Sequence, residues 1–378
     1  MKNAFALARR AAGCTSPNPM VGAVLAKDGN IIGRGWHRRA GAAHAEEEAI
    51  VQACGGGADG GGRALSAAGT AQGATLYCTL EPCCYTAPDK KRPPCAELII
   101  KNGITRAVIA AEDPNPRVSG GGIAALRRAG IVVETGLFAE MDEELNRGFR
   151  TYQRLGRPFV HLKIAASMDG RIASKGSGGK KTAETITGAA ARRQVHALRA
   201  FYDAVLVGRG CLAADDPRLT VRHTRGRNPL RVLLDSNLTV EKNALILGDS
   251  PEEAAKTLVF CAVTADAARM AALRERGVTV IPLTRETEGL SLRQALDVLG
   301  ERGVRSVLVE GGAAVFGSFF REGLWDRLSV YIAPLVLGEG IPAVTGYAPL
   351  SARDALHPAN MRIKRVGGDV LLEANREE

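Results

Sequence analysis

The stretch Thr79-Leu80-Glu81-Pro82-Cys83-Cys84-Tyr85, followed after seven intervening residues by Pro93-Pro94-Cys95, decides how the first part of this chain is read. Ala74–Leu80 has the apolar, β-branched character of a strand, and Glu81-Pro82 ends it in a turn. A helix pattern then runs from about Cys95 to Asn102. One cysteine therefore closes a strand and another opens a helix. Upstream, His44-Ala45-Glu46 opens a further helix, Ala45–Ala53. One imidazole and two thiols offered from element ends suit a zinc site that keeps a fourth position for water. Glu46, two residues from His44, supplies a carboxylate that need not bind the metal and can carry a proton. Helix starts favour thiolate, because their unpaired N–H groups carry partial positive charge.

Around this stretch, the first third alternates helix and strand signals. Ala4–Ala12 reads as a helix, and Met20–Ala26 with Ile31–Arg34 as a hairpin turning at Asp28-Gly29. Residues 54–73, rich in Gly, Ala and small polar side chains, read as a surface loop. Ala107–Ala110 and Val132–Glu134 read as strands around a helix at Gly121–Ala129. The polar stretch Arg147–Arg157, ending before Pro158, is the expected domain boundary. Beyond it, Phe159–Ala166, Ala204–Gly208, Arg231–Leu234, Leu258–Val263, Val278–Pro282, Ser306–Glu310 and Leu328–Ala333 read as strands. Helices are expected at Ala189–Ala200, Asp266–Arg276, Leu292–Glu301 and Ala314–Arg321. That alternation predicts a largely parallel sheet covered on both faces.

A length of 378 residues suits two domains, and 46% hydrophobic with 24% charged residues suits an ordinary globular protein. No apolar run approaches the roughly 18 residues of a membrane span. The apolar stretch Ala4–Ala8 is too short for a signal-peptide core, so a cytoplasmic address is expected. Eight cysteines then point to metal or catalytic roles rather than disulfides. The net charge of +10 divides into 18 basic against 15 acidic side chains in residues 1–150 and 32 against 25 in residues 151–378. No basic run exceeds Lys90-Lys91-Arg92. A phosphorylated substrate and a phosphate-rich cofactor explain such charge as well as RNA does. RNA binding calls for aromatics interleaved with the bases, and at 4% the aromatics are too sparse.

In the second part, Ser306-Val307-Leu308-Val309-Glu310-Gly311-Gly312 runs from a strand through two glycines into a helix, where backbone N–H groups can meet a phosphate. A plain strand–helix turn explains it equally, and the Gly-x-Gly-x-x-Gly fingerprint is not seen there.

Taken together, Thr15-Ser16-Pro17-Asn18-Pro19-Met20-Val21-Gly22, His44-Ala45-Glu46, Thr79-Leu80-Glu81-Pro82-Cys83, Pro93-Pro94-Cys95, Asp113-Pro114-Asn115-Pro116 and Asn146-Arg147-Gly148-Phe149 resemble the deaminase half of the bifunctional riboflavin biosynthesis deaminase–reductase family. Lys163 to Arg171, Ile186-Thr187, Ala214 to Arg222, Leu234-Asp235-Ser236 and Val309 to Gly312 are similar to its reductase half, in the same order. The resemblance implies a cytidine-deaminase-like α/β/α domain over residues 1–148 and a dihydrofolate-reductase-like α/β domain over 158–376. It implies Zn2+ on His44, Cys83 and Cys95, with Glu46 catalytic and Asn18 and His37 holding substrate. In the second domain it implies substrate contacts from Arg199, Leu219, Arg222 and Glu310. NADPH contacts fall to Ala165, Asp215, Ser236 and Gly312, Ala313, Ala314, Val315, Phe316, Gly317 and Ser318, with Thr185 and Cys211 at further cofactor positions. Guanidinium groups such as Arg199 and Arg222 suit a phosphate gripped in two-pronged fashion.

The chain departs from the family in several places. The Cys83–Cys95 gap is a few residues longer than usual. Cys84-Tyr85 replaces a Ser-His pair, which makes Cys84 a competitor to Cys83; Cys83 is preferred because it directly follows Glu-Pro. Lys91 is a candidate for the family's basic residue ahead of Pro-Pro-Cys. Extra residues occupy 174–185, Thr185 replaces a tryptophan, and Cys211 replaces a threonine. The expected activity is deamination of a phosphorylated diaminopyrimidine and then NADPH-dependent reduction, in a homo-oligomer without nucleic-acid or membrane partners.

Overall fold

The computed structural model describes residues 1–55, 71–86, 92–174, 185–287 and 289–377, in two compact units, Met1–Gly156 and Arg157–Glu378. Most of the expected 54–73 loop, Lys91, and the extra residues between Ser174 and Thr185 lie outside the described residues. Among those described, no helix is long and apolar enough to cross a membrane.

The first unit is a five-stranded sheet in the order β2-β1-β3-β4-β5. Its strands are β1 (Gly22–Lys27), β2 (Asn30–Trp36), β3 (Thr75–Cys78), β4 (Arg106–Ile109) and β5 (Val132–Thr135). Strands β1 and β2 form the expected hairpin. Asp28 and Gly29, at φ 50° and 77°, make the left-handed turn that matches strand twist. Strands β3, β4 and β5 are mutually parallel. Helices α1 (Lys2–Ala8), α2 (Ala45–Ala53), α3 (Cys95–Lys101) and α4 (Gly121–Arg128) accompany them. Helix α2 lies directly on β2, because a side chain at Gly33 or Gly35 would overlap the carbonyls of Ala49 or Ala45. That close approach fixes where the first turn of α2, and so His44 and Glu46, emerges.

The second unit is built on a nine-stranded sheet, β11-β10-β9-β8-β14-β6-β15-β18-β17. Its strands are β6 (Phe159–Ser167), β8 (Ala204–Gly208), β9 (Leu230–Leu234), β10 (Thr257–Ala262), β11 (Thr279–Leu283), β14 (Ser306–Gly311), β15 (Arg327–Ala333), β17 (Ala359–Val366) and β18 (Asp369–Asn375). Two short pairs, β7 (Arg171–Ala173) with β16 (Ile341–Pro342) and β12 (Arg285–Glu286) with β13 (Gly289–Leu290), stand outside it. Every residue of β8 and β10 is buried. Alternate residues serve opposite faces: Leu206, Val232 and Phe260 join one apolar cluster, and Val205, Leu233 and Val259 another. Helices α7 (Ala189–Phe201), α8 (Arg209–Asp215), α9 (Pro251–Ala254), α10 (Ala267–Glu275), α11 (Leu292–Glu301) and α12 (Ala313–Arg321) connect the strands.

The division between the units, at Gly156 and Arg157, falls within the polar stretch Arg147–Arg157; most of that stretch is helix α6 (Arg147–Leu155), which with α5 (Ala139–Leu145) belongs to the first unit and was not anticipated. The sheet is largely parallel, as expected; the antiparallel hairpin β17–β18 at one edge was not anticipated.

Candidate active sites

His44 is the extended residue capping α2, with φ −75° and ψ 162°, so its ring leaves the helix at the N-terminal end. Cys95 opens α3, and Cys83 follows the turn after β3. These elements bring Cys83 Sγ to 3.6 Å and Cys95 Sγ to 3.2 Å from His44 Nδ1. The Cys95 backbone N–H donates to Cys83 Sγ at 3.3 Å. All three ligand atoms lie within 4.8 Å of one another. Bonds of about 2.0–2.3 Å at tetrahedral angles put zinc ligands about 3.3–3.8 Å apart, so this donor set fits the ion in both chemistry and spacing. The hydrogen bond shared with Cys83, together with burial, holds the Cys95 thiol well above its usual range. A divalent cation opposes both effects by stabilising thiolate. Cys84 sits differently: its Sγ donates to the Val118 carbonyl at 3.9 Å and packs into the apolar core.

Glu46, on the first turn of α2, is 3% exposed. Burial pushes its carboxyl up to about 7, while His44 pulls it down and Cys83 adds to the rise. A carboxyl group poised near neutrality beside the ligand cluster can both accept and return a proton. His37 is buried as well. Its Nδ1–H donates to the Ala43 carbonyl at 3.0 Å, which leaves Nε2 to accept the Asn18 side-chain N–H at 3.0 Å. Desolvation lowers the His37 pKa and so favours this neutral form.

Asn18, His37, His44, Glu46 and Cys83 line a cavity of about 540 Å³, which also takes in Tyr85, Arg92, Asp113, Asn115 and Phe149. Arg92 pairs with Glu47 at 2.6 Å. Burial pushes the Asp113 carboxyl up to about 6, against the pull of the Asn115 N–H that it accepts. Sequence reading passed over Arg92, Asp113 and Phe149 as site residues, although Asp113 and Phe149 lie within motifs it had singled out.

In the second unit, Glu310 lies near the end of β14 and draws two cations. Arg199 Nε and Nη2 reach its two oxygens at 2.5 and 2.9 Å, and Lys163 Nζ lies 3.5 Å away. Burial raises the Glu310 carboxyl, but Arg199 and then Lys163 outweigh it and bring the pKa down to about 2. Arg199 Nη1 also donates to the Thr220 carbonyl at 3.2 Å, and Arg222 Nη1 to Thr220 Oγ1 at 3.0 Å. The two-pronged face of Arg199 is therefore engaged by Glu310. Leu219 is 2% exposed and holds a left-handed φ of 52°, which turns the chain between Arg218 and Thr220. The Arg222 backbone N–H donates to His196 Nδ1 at 2.9 Å. Burial, then Arg199, lowers the His196 pKa to about 4, so the ring accepts as neutral imidazole. Lys163 and His196 were not picked out from sequence as site residues; Lys163 opens one of the reductase motifs.

A second cavity, of about 410 Å³, is lined by Gly208, Gly210, Ser236, Gly312, Ser318 and Arg321, among others. A side chain added at Gly210 would meet no atom within 4 Å. Glycines at two strand ends, the N-terminus of α12 and two serine hydroxyls fit a dinucleotide phosphate cradle. Of the segment expected to touch NADPH, Gly312 to Val315 and Ser318 line this cavity. Phe316 is in the core, and Gly317 abuts the Thr345 carbonyl. Ala165 on β6, exposed Thr185, and Cys211 and Asp215 on α8 lie outside its lining. Burial, then Asp215, pushes the Cys211 thiol up to about 12, so it acts as a packed side chain.

Residues 158–372 match the family described as the RibD C-terminal domain, and residues 1–111 match the cytidine and deoxycytidylate deaminase zinc-binding region. The riboflavin biosynthesis protein RibD of Bacillus amyloliquefaciens is 42% identical over 377 residues, covering 99% of this chain and 95% of that protein. Its counterpart in Aquifex aeolicus is 38% identical over 373 residues, covering 98% and 96%. Among solved structures, Acinetobacter baumannii RibD (form 2) has TM-score 0.82 at 34% identity, covering 100% of this chain and 97% of that one. The diaminohydroxyphosphoribosylaminopyrimidine deaminase/5-amino-6-(5-phosphoribosylamino)uracil reductase of Thermotoga maritima has TM-score 0.80, also at 34% identity, with the same coverage.

Proposed function

This chain belongs to the bifunctional riboflavin biosynthesis deaminase–reductase family, and on that footing we propose which side chains perform each of its two reactions. The enzyme removes an amino group hydrolytically from the phosphorylated diaminopyrimidine, then reduces 5-amino-6-(5-phosphoribosylamino)uracil to the ribitylamino product with NADPH. In this reading residues 1–148 form the cytidine-deaminase-like domain and residues 158–376 the dihydrofolate-reductase-like domain.

In the deaminase, His44, Cys83 and Cys95 hold Zn2+. The ion supplies Lewis acidity that brings water's ionisation close to neutral pH. Glu46 accepts the proton released by the attacking water and returns it to the departing amine, so the ammonia leaves neutral. Asn18 and neutral His37, locked together by their hydrogen bond, hold the pyrimidine. The observation that carries this assignment is the carboxyl of Glu46, buried against three metal-type donors without being one of the clustered ligands. A purely structural zinc site has no use for it.

In the reductase, Arg199, Leu219, Arg222 and Glu310 form the substrate pocket. Glu310 neutralises and aligns Arg199, while Lys163 adds an ammonium whose proton can balance the incoming hydride. NADPH supplies that hydride. Its cradle is Ser236 with Gly312, Ala313, Ala314, Val315 and Ser318; the other positions expected to touch the cofactor, Ala165, Thr185, Cys211, Asp215, Phe316 and Gly317, lie outside this cavity and are left out of the proposal. The same reading makes the enzyme a cytoplasmic homo-oligomer acting on small molecules, without nucleic-acid partners. Eight cysteines, none in a disulfide, suit a reducing compartment.

Two serine variants test the zinc assignment. Cys83→Ser is expected to lose bound zinc and ammonia release, and Cys84→Ser to keep both. The opposite pattern, measured as zinc per chain, would exchange the roles of the two cysteines.

A further inference from the structure

The motif Asn146-Arg147-Gly148-Phe149 has no part in the chemistry above, yet it lies on a buried polar network of the first unit. Asn146 sits between α5 and α6 and is 2% exposed. Its Oδ1 accepts the Met20 N–H at 2.7 Å, and its Nδ2 donates to the Met20 carbonyl at 3.0 Å and to Asp142 Oδ1 at 2.7 Å. One side chain thus pairs with both main-chain groups of Met20. Asp142 is fully buried, and its Oδ2 takes Arg150 Nε at 2.7 Å and Nη2 at 2.6 Å. Arg150 Nη2 also donates to the Glu112 carbonyl at 3.0 Å.

Both ends of this network finish beside the deaminase cavity. Met20 follows Asn18 and Pro19, and Glu112 precedes Asp113; Asn18, Pro19, Asp113 and Asn115 all line the cavity. Phe149, between Asn146 and Arg150, lines it too. The zinc-binding region shared with other deaminases ends at residue 111, so the second wall and its brace lie beyond that common part. Burying Asp142, Asn146 and Arg150 is costly unless each is fully paired, and a network so paired has one arrangement.

We propose that Asn146, Asp142 and Arg150 are positioning residues for deamination: they brace the Asn18 and Asp113 walls at the separation the aminopyrimidine requires, with Phe149 as the apolar face between them. They act on substrate fit, apart from the zinc ligands and Glu46. The proposal rests on this cavity being the deamination site. A wall no longer held in place must be ordered when the substrate binds, so the loss falls on binding first.

Steady-state ammonia release by the full-length zinc enzyme tests it, with Asn146→Ala and Arg150→Lys. The second variant keeps a cation against Asp142 but lacks the fork that also reaches Glu112. Both variants are expected to raise KM for the diaminopyrimidine phosphate about tenfold, the value of roughly one lost hydrogen bond, and to keep kcat within about twofold. Zinc content and NADPH oxidation with the uracil intermediate stay at wild-type values. An unchanged KM in Arg150→Lys overturns the proposal. So does a fall in kcat and zinc content with KM unchanged, which marks a purely structural brace. Should Asn146→Ala fail to fold, Arg150→Lys decides alone. Wild-type protein that releases no ammonia would refute the deaminase reading itself, an outcome distinct from either of these.

Discussion

Replacing Glu46 with glutamine should leave one zinc ion per chain and cut ammonia release by about 10²–10⁴-fold, the usual contribution of a positioned acid–base group. The substitution keeps the shape of a side chain that is 3% exposed on the first turn of α2. It removes the one group beside His44, Cys83 and Cys95 whose carboxyl is pushed up to about 7. An amide cannot take a proton from water at neutral pH, so binding survives and turnover does not. NADPH oxidation with the uracil intermediate should be unaffected. Measuring zinc by atomic absorption alongside ammonia separates this result from loss of metal. Undiminished release from a zinc-loaded Glu46→Gln variant would remove Glu46 from the mechanism.

The second large effect is expected at Glu310. In Glu310→Ala, the buried Arg199 and Lys163 side chains, each 11% exposed, lose their shared counter-charge. Breaking such a site from one side costs about 3–5 kcal/mol. Urea unfolding should show the second unit weakened by that order, with NADPH oxidation lost and ammonia release retained. The wild-type contribution has a defined pH sense. The folded pKa, about 2, lies below the ordinary 4.5, so the unfolded chain binds the extra proton between those values. The stabilisation is complete above about pH 4.5 and disappears as pH falls towards 2. A Glu310→Ala variant as stable as wild type would show that the three charges contribute nothing as a set.

Local signals carried much of the architecture. Helices α2 and α11 and strand β8 fall where periodicity put them, and the hairpin turn at Asp28-Gly29 has the backbone its residues demand. The clustering of His44, Cys83 and Cys95 was legible because His44 and Cys95 sit at helix starts and Cys83 follows the turn after a strand, so element type already says which way each faces. Helices α5 and α6 were harder to see. Asp142, Asn146 and Arg150 look like surface residues in a row of letters, and only their mutual pairing buries them. Strand β17 was missed for a related reason. Its run Arg362-Ile363-Lys364-Arg365 lies on the exposed edge of a sheet and shows little of a buried strand's pattern. The Arg199–Glu310 pairing depended on distance in space: nothing local in helix α7 shows that the fold sets a carboxylate 111 positions away against that guanidinium's fork.

The most direct test of the account is a paired time course, ammonia release and NADPH oxidation, on the purified zinc-loaded chain given the diaminopyrimidine ribosyl phosphate. Ammonia appearing first, with NADPH consumed afterwards to the same total, is the predicted result. NADPH consumption without prior ammonia, or neither signal from protein shown to hold zinc, would contradict it.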